Sequence, residues 1–212
     1  MSARAIRNHL RLMRPADIPA ILELEAAAFP SIPNDRYWKP AMLEAHIAQF
    51  PEGQWVIEAD GNIVASATAL RLPLIDAVAQ HTWKSITGNG YLTTHDPYGD
   101  ALYGTEVMVH PNQRRNGLGK RLYRRRQLYI HEHGLRAFVA GGRIPGYHRH
   151  ADHLSAPAYV RAVLAEELSD RTLTAQVRSG MSVAGLLPNY MHDPKSLDWA
   201  SLLVWWNLDH GI

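Results

Sequence analysis

The 212-residue chain contains no cysteine, and that absence excludes disulfides, thiolate metal sites and cysteine nucleophiles together. Long apolar runs are missing as well. No stretch approaches the ~20 apolar residues of a membrane span, and the N-terminal MSARAIRNHL lacks the apolar core of about 7–15 residues that a signal peptide carries. Charge is nearly balanced, with 22 Lys and Arg against 20 Asp and Glu for a net charge of +2. That field is too small to steer a nucleic acid or an acidic membrane. A composition 46% hydrophobic and 20% charged excludes disordered, collagen-like and coiled-coil classes. The expectation is a cytoplasmic protein with neither nucleic acid nor membrane as partner. It should fold as one domain over residues 1–212, a length that buries a sizeable core without staples.

What the chain does have is a concentrated local feature. The stretch Thr105 to Arg126, TEVMVHPNQRRNGLGKRLYRRR, reads as a strand, a tight turn and a helix. Val107, Met108 and Val109, preceded by Leu102 and Tyr103, form the strand, and Pro111 stops it because it has no N–H for a ladder. Gly117 and Gly119 then leave the backbone uncovered where Leu118, Leu122 and Tyr129 begin a helical stripe. The first N–H groups of a helix lack internal partners and lie at the positive end of its dipole, so this start suits a phosphate or pyrophosphate. Arg114, Arg115 and Lys120 reinforce that preference. A Walker loop would need Gly at position 114 and Ser or Thr at 121, where Arg114 and Arg121 stand. A dinucleotide fingerprint starting at Gly117 would need Gly at position 122, which is Leu122.

Elsewhere the chain alternates strand and helix signals. Leu10 and Leu12 mark a first strand, Asp17 is expected to cap a helix carrying Ile18, Ile21, Leu22 and Leu24, and Met42 to Phe50 recur at helical spacing after a connection at Pro33 to Tyr37. Trp55 to Glu58 and Ile63 to Ala67 flank Asp60-Gly61-Asn62, a hairpin turn. Leu72 to Asp100 shows no sustained period and reads as a long insertion, a place where function often resides. Arg136 to Ala140 is a further strand, and Gly141-Gly142 after it allow close backbone approach. Pro157 to Leu168 is helical, Leu173 to Val177 begins a short helix that Gly180 closes, and Met181 to Leu187 and Ser201 to Leu208 are closing strands. This order describes a mixed α/β layer.

Arg114, Gly117 and Gly119 spell R-x-x-G-x-G behind V-x-V-x-P, which resembles the acetyl-CoA motif of the GNAT superfamily of N-acetyltransferases. Phe50 to Gln54, His95-Asp96-Pro97, Leu102-Tyr103-Gly104, Glu106 to Pro111 and Ala140 to Tyr147 extend the resemblance over most of the chain. They look like a bacterial subgroup whose acetyltransferase domain is often fused to a carbon-nitrogen hydrolase, of which these residues would be only the acetyltransferase half. The resemblance implies a GNAT fold: a mixed central sheet of about seven strands flanked by helices, with the insertion before the central strand. It implies acetyl-CoA as cosubstrate, with backbone groups of Met108 and Val109 meeting the pantetheine and acetyl end. Arg114, Arg115, Asn116, Gly117, Leu118, Gly119 and Lys120 would cradle the pyrophosphate.

The implied chemistry is direct attack of a deprotonated primary amine, on a small molecule or peptide, upon the thioester, with donors stabilising the oxyanion. Glu106, on the strand leading to the acetyl group, is the candidate base; the competing reading is a strand carboxylate paired with an arginine. Many members carry an acidic Tyr four residues before the Gly that closes the last helix, and here that position is Gln176. A Gln amide hydrogen-bonds but cannot act as a general acid, so Tyr147 and Tyr190 are the substitutes to test. A CoA-binding regulatory module without turnover is the alternative.

Several features have plainer readings. His148, His150 and His153 with Asp152 match no zinc spacing and suit a solvated loop, so no metal is expected. Arg121, Arg124, Arg125 and Arg126 read as the wet face of a helix, some of them within reach of a CoA 3′-phosphate or adenine. Trp205 and Trp206 occupy opposite faces of a strand, one for the core and the other open to a partner, a homodimer included. His81, Trp83 and His95 are candidates to line the acceptor pocket.

Overall fold

The computed structural model describes residues 8–30 and 38–210, so the expected connection at Pro33 to Tyr37 lies outside the described residues. Its frame is a seven-stranded sheet in the order β1-β2-β3-β4-β5-β7-β6. The strands are β1 (Asn8–Leu12), β2 (Gln54–Ala59), β3 (Asn62–Leu72), β4 (Ala101–Val109), β5 (Ala137–Arg143), β6 (Ser182–Leu187) and β7 (Ala200–Trp206). Every neighbouring pair is antiparallel except β4 and β5. The β2–β3 turn places Asp60 and Gly61 at φ 49° and 79°, the doubly left-handed geometry whose twist matches a two-residue hairpin.

Helices cover both faces. On one lie α1 (Ile18–Ala28) and α2 (Pro40–Gln49), together with the two short helices of the insertion, α3 (Leu74–Val78) and α4 (Trp83–Ile86). Their Ile21, Leu43, Ala77 and Trp83 share a core with Tyr103, Met108 and Val139 of the sheet. On the other lie α5 (Leu118–Glu132), α6 (Ala156–Leu164) and α7 (Leu173–Val177), whose Leu122, Tyr159 and Leu173 pack with Leu102, Phe138 and Ala140. Alternate strand residues therefore enter different cores, as a period of two requires.

Three local expectations change. The Asp17 side chain does not cap α1; it accepts from Arg11 at 2.7 and 2.8 Å and from the Arg14 N–H at 2.8 Å, tying β1 to the turn that follows. Helix α6 stops at Leu164 rather than Leu168 because Glu166 turns left-handed at φ 61°. The insertion is no bare loop: Leu74, Ala77, Trp83, Ile86 and Leu92 are all buried. Trp206 is 48% exposed while Trp205 packs inward, the split that adjacent strand positions require.

Candidate active site at the fork between two strands

Strands β4 and β5 pair in parallel only from Ala101↔Ala137 to Gly104↔Ala140. Beyond that point β4 keeps its other neighbour, β3, as far as Ala65↔Val109, and β5 keeps β7 as far as Arg143↔Ala200. The two strands part, and Thr105 to Val109 present an edge without a strand partner, a place where an extended ligand can hydrogen-bond as an added strand does. The register slips at the same place. Thr68 faces Glu106 while Ala69 faces Gly104, so Thr105 is the extra residue of a bulge.

Arg126 holds this bulge from the α5 side. It is 1% exposed, and its Nη2 donates to the Thr68 carbonyl at 2.8 Å and to the Glu106 carbonyl. Its guanidinium lies 5.0 Å over the Phe138 ring, and burial lowers its pKa to about 10. The expectation that Arg126 belongs to a wet face is thus corrected. A cation four residues after Leu122 on the apolar stripe was the available signal.

Glu106 is gripped from the opposite face. Its Oε2 accepts from Trp38 Nε1 at 2.6 Å, and its Oε1 is closed to solvent with no hydrogen-bond partner. Burial first, and the nearby Glu25 second, push its pKa up to about 8, against the pull of Trp38, Arg126 and Arg143. No salt bridge pairs Glu106 with an arginine among the described residues. Trp38 also donates its backbone N–H to Glu25 Oε1 at 3.1 Å, which locks the indole in place. Glu25, on the α1 stripe of Ile18, Ile21 and Ala28, carried the same readable signal as Arg126.

Two side chains fill the space over the glycines of β5. A Cβ on Gly141 would fall 2.5 Å from the Tyr190 hydroxyl, and one on Gly142 would fall 2.4 Å from Gln176 Oε1, so any side chain there would displace them. Gln176 is 8% exposed and its Oε1 has no partner. Tyr190 is 2% exposed. Tyr147 does not join them. It packs against Tyr159, ring centroids 5.5 Å apart, in the core beneath α5 and α6, which the Ile144 side chain just after β5 also joins.

Past β4 the chain makes a short turn at Pro111–Gln113 and enters α5. Arg115 and Gly117 both adopt left-handed φ, 67° and 75°, a conformation that anion-holding turns of backbone amides commonly use. No side chain caps α5. Arg115, Asn116, Gly117 and Lys120 are exposed, whereas Leu118 is 4% exposed and contributes its side chain to the core. Arg114 is half-buried and bonds the Ala28 carbonyl at 3.1 Å, bracing the loop against the end of α1. Met108, 1% exposed, faces Ser66 of β3 in the register in which His110 donates its N–H to the Val64 carbonyl, so its own N–H and carbonyl turn to β3, and it is Val107 and Val109 whose backbone groups turn to the free edge.

The Acetyltransferase (GNAT) family matches residues 18–150, a span that holds the fork, the bulge and the helix start. The chain belongs to the GNAT family. It is 37% identical over 202 residues to "Probable hydrolase YhcX" of Bacillus subtilis, covering 95% of this chain but only 39% of that protein. "Uncharacterized N-acetyltransferase YkwB" of the same organism is 33% identical over 97% of this chain and 90% of its own. Among solved structures, the GNAT-like decarboxylase GphF in complex with isobutyryl-CoA superposes with a TM-score of 0.77 at 24% identity, over 93% of this chain and 98% of its own. That likeness shows that the GNAT fold is shared.

No group of three or more His, Cys, Asp or Glu side chains among the described residues is placed to hold an ion. His148 Nδ1 turns to the Pro145 carbonyl at 3.0 Å, and His150 stacks on Tyr159. Nor is any helix among the described residues long and apolar enough to cross a membrane.

Proposed function

We propose that the protein is an acetyl-CoA-dependent N-acetyltransferase that moves an acetyl group to a primary amine of a small molecule or peptide by direct attack on the thioester. The observation that carries this reading is the unpaired edge of β4, running from Thr105 to Val109 toward an uncapped helix start. A molecule with an extended amide arm and a pyrophosphate fits both ends at once. The outward backbone groups of Val107 and Val109 would bind the arm, and the amides from Arg115 to Lys120, with the flanking cations, the pyrophosphate. The acyl-CoA bound to GphF, which has the same fold, supports the cosubstrate class, and YkwB supports the reaction class.

The residues divide the remaining work. Glu106, once ionised, takes the proton from the acceptor ammonium directly or through a water, and its pKa of about 8 matches that task near neutral pH. N–H groups on the free edge of β4 donate to the developing oxyanion. Tyr190, at the root of the fork, supplies a proton to the leaving sulfur. A cytoplasmic location accords with the cosubstrate.

A specific observation favours a second reading, a CoA-binding module without turnover. Gln176 occupies a position against Gly142 from which it cannot give a proton. Calorimetry with acetyl-CoA, followed by a thiol-release assay over polyamines, amino acids, aminoglycosides and peptides, separates the two. Binding with release by at least one amine is expected. Binding without release across the panel selects the module, and absence of binding rejects both.

A further inference from the structure

We infer that Tyr190 is the cleft end of a three-member proton relay, Tyr190–Tyr103–His81, that carries a proton between the fork of β4 and β5 and the surface of the insertion. This rests on the acyltransferase reading and adds to it a route for the proton.

The chain of contacts is continuous. The Tyr190 hydroxyl meets the Tyr103 hydroxyl at 3.0 Å, and Tyr103 meets His81 Nε2 at 2.7 Å. His81 Nδ1 lies 2.8 Å from the Ala79 carbonyl. The relay ends where the strands separate. Tyr103 lies within the last paired stretch of β4, the ring of Tyr190 covers Gly141, the first residue of β5 past the pairing, and the Gly141 N–H acts on the Tyr103 hydroxyl. Tyr103 is 0% exposed, so these hydroxyls exchange protons with each other rather than with bulk water. His81, half-exposed, is the outlet.

The direction of each hydrogen bond follows from one fixed end. A carbonyl only accepts, so His81 Nδ1 carries the proton, and in the neutral ring Nε2 must accept from Tyr103. Tyr103 then accepts from Tyr190, which leaves the Tyr190 oxygen able only to accept from the cleft. Protonation of His81 reverses the set: Nε2 donates to Tyr103, Tyr103 to Tyr190, and Tyr190 has a proton to give. Burial holds His81 below its ordinary value, so the accepting arrangement is the resting one near neutral pH. The groups facing His81 are the two phenols and the Ala79 carbonyl, with no charged side chain among the causes of its shift.

The step balances. As the amine nitrogen bonds the acyl carbon, its proton passes to Tyr190, that of Tyr190 to Tyr103, and that of Tyr103 to His81. The C–S bond breaks with its electron pair on sulfur, and the same chain in reverse returns one proton to the thiolate. Tyr190 would touch the reacting atoms; Tyr103 and His81 act through it.

The test uses the whole chain with acetyl-CoA and whichever amine releases thiol. Tyr190→Phe and Tyr103→Phe should each lower kcat by about 100-fold or more, with KM for acetyl-CoA unchanged. His81→Gln should lower kcat and also remove the limb of the wild-type pH profile that falls as His81 becomes protonated, below its ordinary 6.5. A role in packing alone would reduce melting temperature and leave that limb in place. Wild-type rates in Tyr103→Phe, or an unaltered acid limb in His81→Gln, overturn the relay. A second measurement needs no amine and no stable variant: nitrogen-15 NMR of His81 in the wild type with and without CoA. Its titration midpoint should move when the thiol binds. A midpoint that stays put while calorimetry reports CoA bound overturns the relay alone, whereas absence of CoA binding removes the acyl-CoA reading and the relay with it.

Discussion

Replacing Glu106 by Gln tests the buried carboxyl in two independent ways. Gln is nearly isosteric with a protonated Glu and still accepts from Trp38 Nε1. In the wild type the folded carboxyl titrates near 8 against an ordinary 4.5, so between these values the folded state holds a proton that the unfolded state releases. Stability must therefore fall as pH rises through that window, by about 1.4 kcal/mol per pH unit. His46 complicates the lower part. Its ring is 0% exposed, and burial depresses its pKa from 6.5 to about 4, so there the unfolded state binds the extra proton and stability rises with pH. His81 and His95 are shifted in the same direction. The histidine effects oppose Glu106 below 6.5 and vanish above it, which leaves the interval from 6.5 to 8 to the carboxyl, a loss of about 2 kcal/mol. Urea denaturation across that interval should show this decline in the wild type and a level line in Glu106→Gln. The variant should also lose the rise in kcat/KM expected of the wild type as pH approaches 8. Parallel stability curves for the two proteins would refute the buried, proton-holding carboxyl, and an unchanged pH–rate profile would refute its role as base.

Other substitutions separate ligand contacts from scaffold. A Cβ on Gly119 would meet nothing closer than Val109 Cγ2 at 3.9 Å, so Gly119→Ala should leave the melting temperature level or slightly raised while weakening acetyl-CoA in calorimetry; equal affinity would remove Gly119 from the pyrophosphate site. Gln176→Ala discards a buried oxygen without a partner and should cost little stability in urea; a loss of about 1–3 kcal/mol would show that the oxygen is satisfied in the folded protein. Arg126→Met strips donors from the Thr68 and Glu106 carbonyls and should destabilise by about 1–3 kcal/mol in urea; a neutral result would show that the bulge holds without it.

Much of the frame was legible because its causes are local. Asp60-Gly61 turns a hairpin through the φ values its own residues tolerate, and the α5 start is marked by its glycines and the stripe that follows. Even where the plain reading failed, as for Arg126, a charge on an apolar stripe was visible in the spacing, and Glu25 carried the same mark without having been singled out. The insertion was legible only in its bounds. Without periodicity, nothing in Leu72 to Asp100 indicated that Trp83 is buried and that His81 reaches Tyr103.

The sequence by itself therefore determined the strands and helices outside the insertion, the glycine-marked start of α5 and the family, since helical and strand periods, turn φ values and a short motif need only neighbours in the chain. The tertiary structure decided the chemistry. Trp38 stands 68 positions from the carboxyl it binds, and Tyr190 stands 87 from Tyr103. Only the sheet order brings them together at the fork. Proton affinity there is set by burial and by charges from several elements, quantities that exist only once those elements have packed.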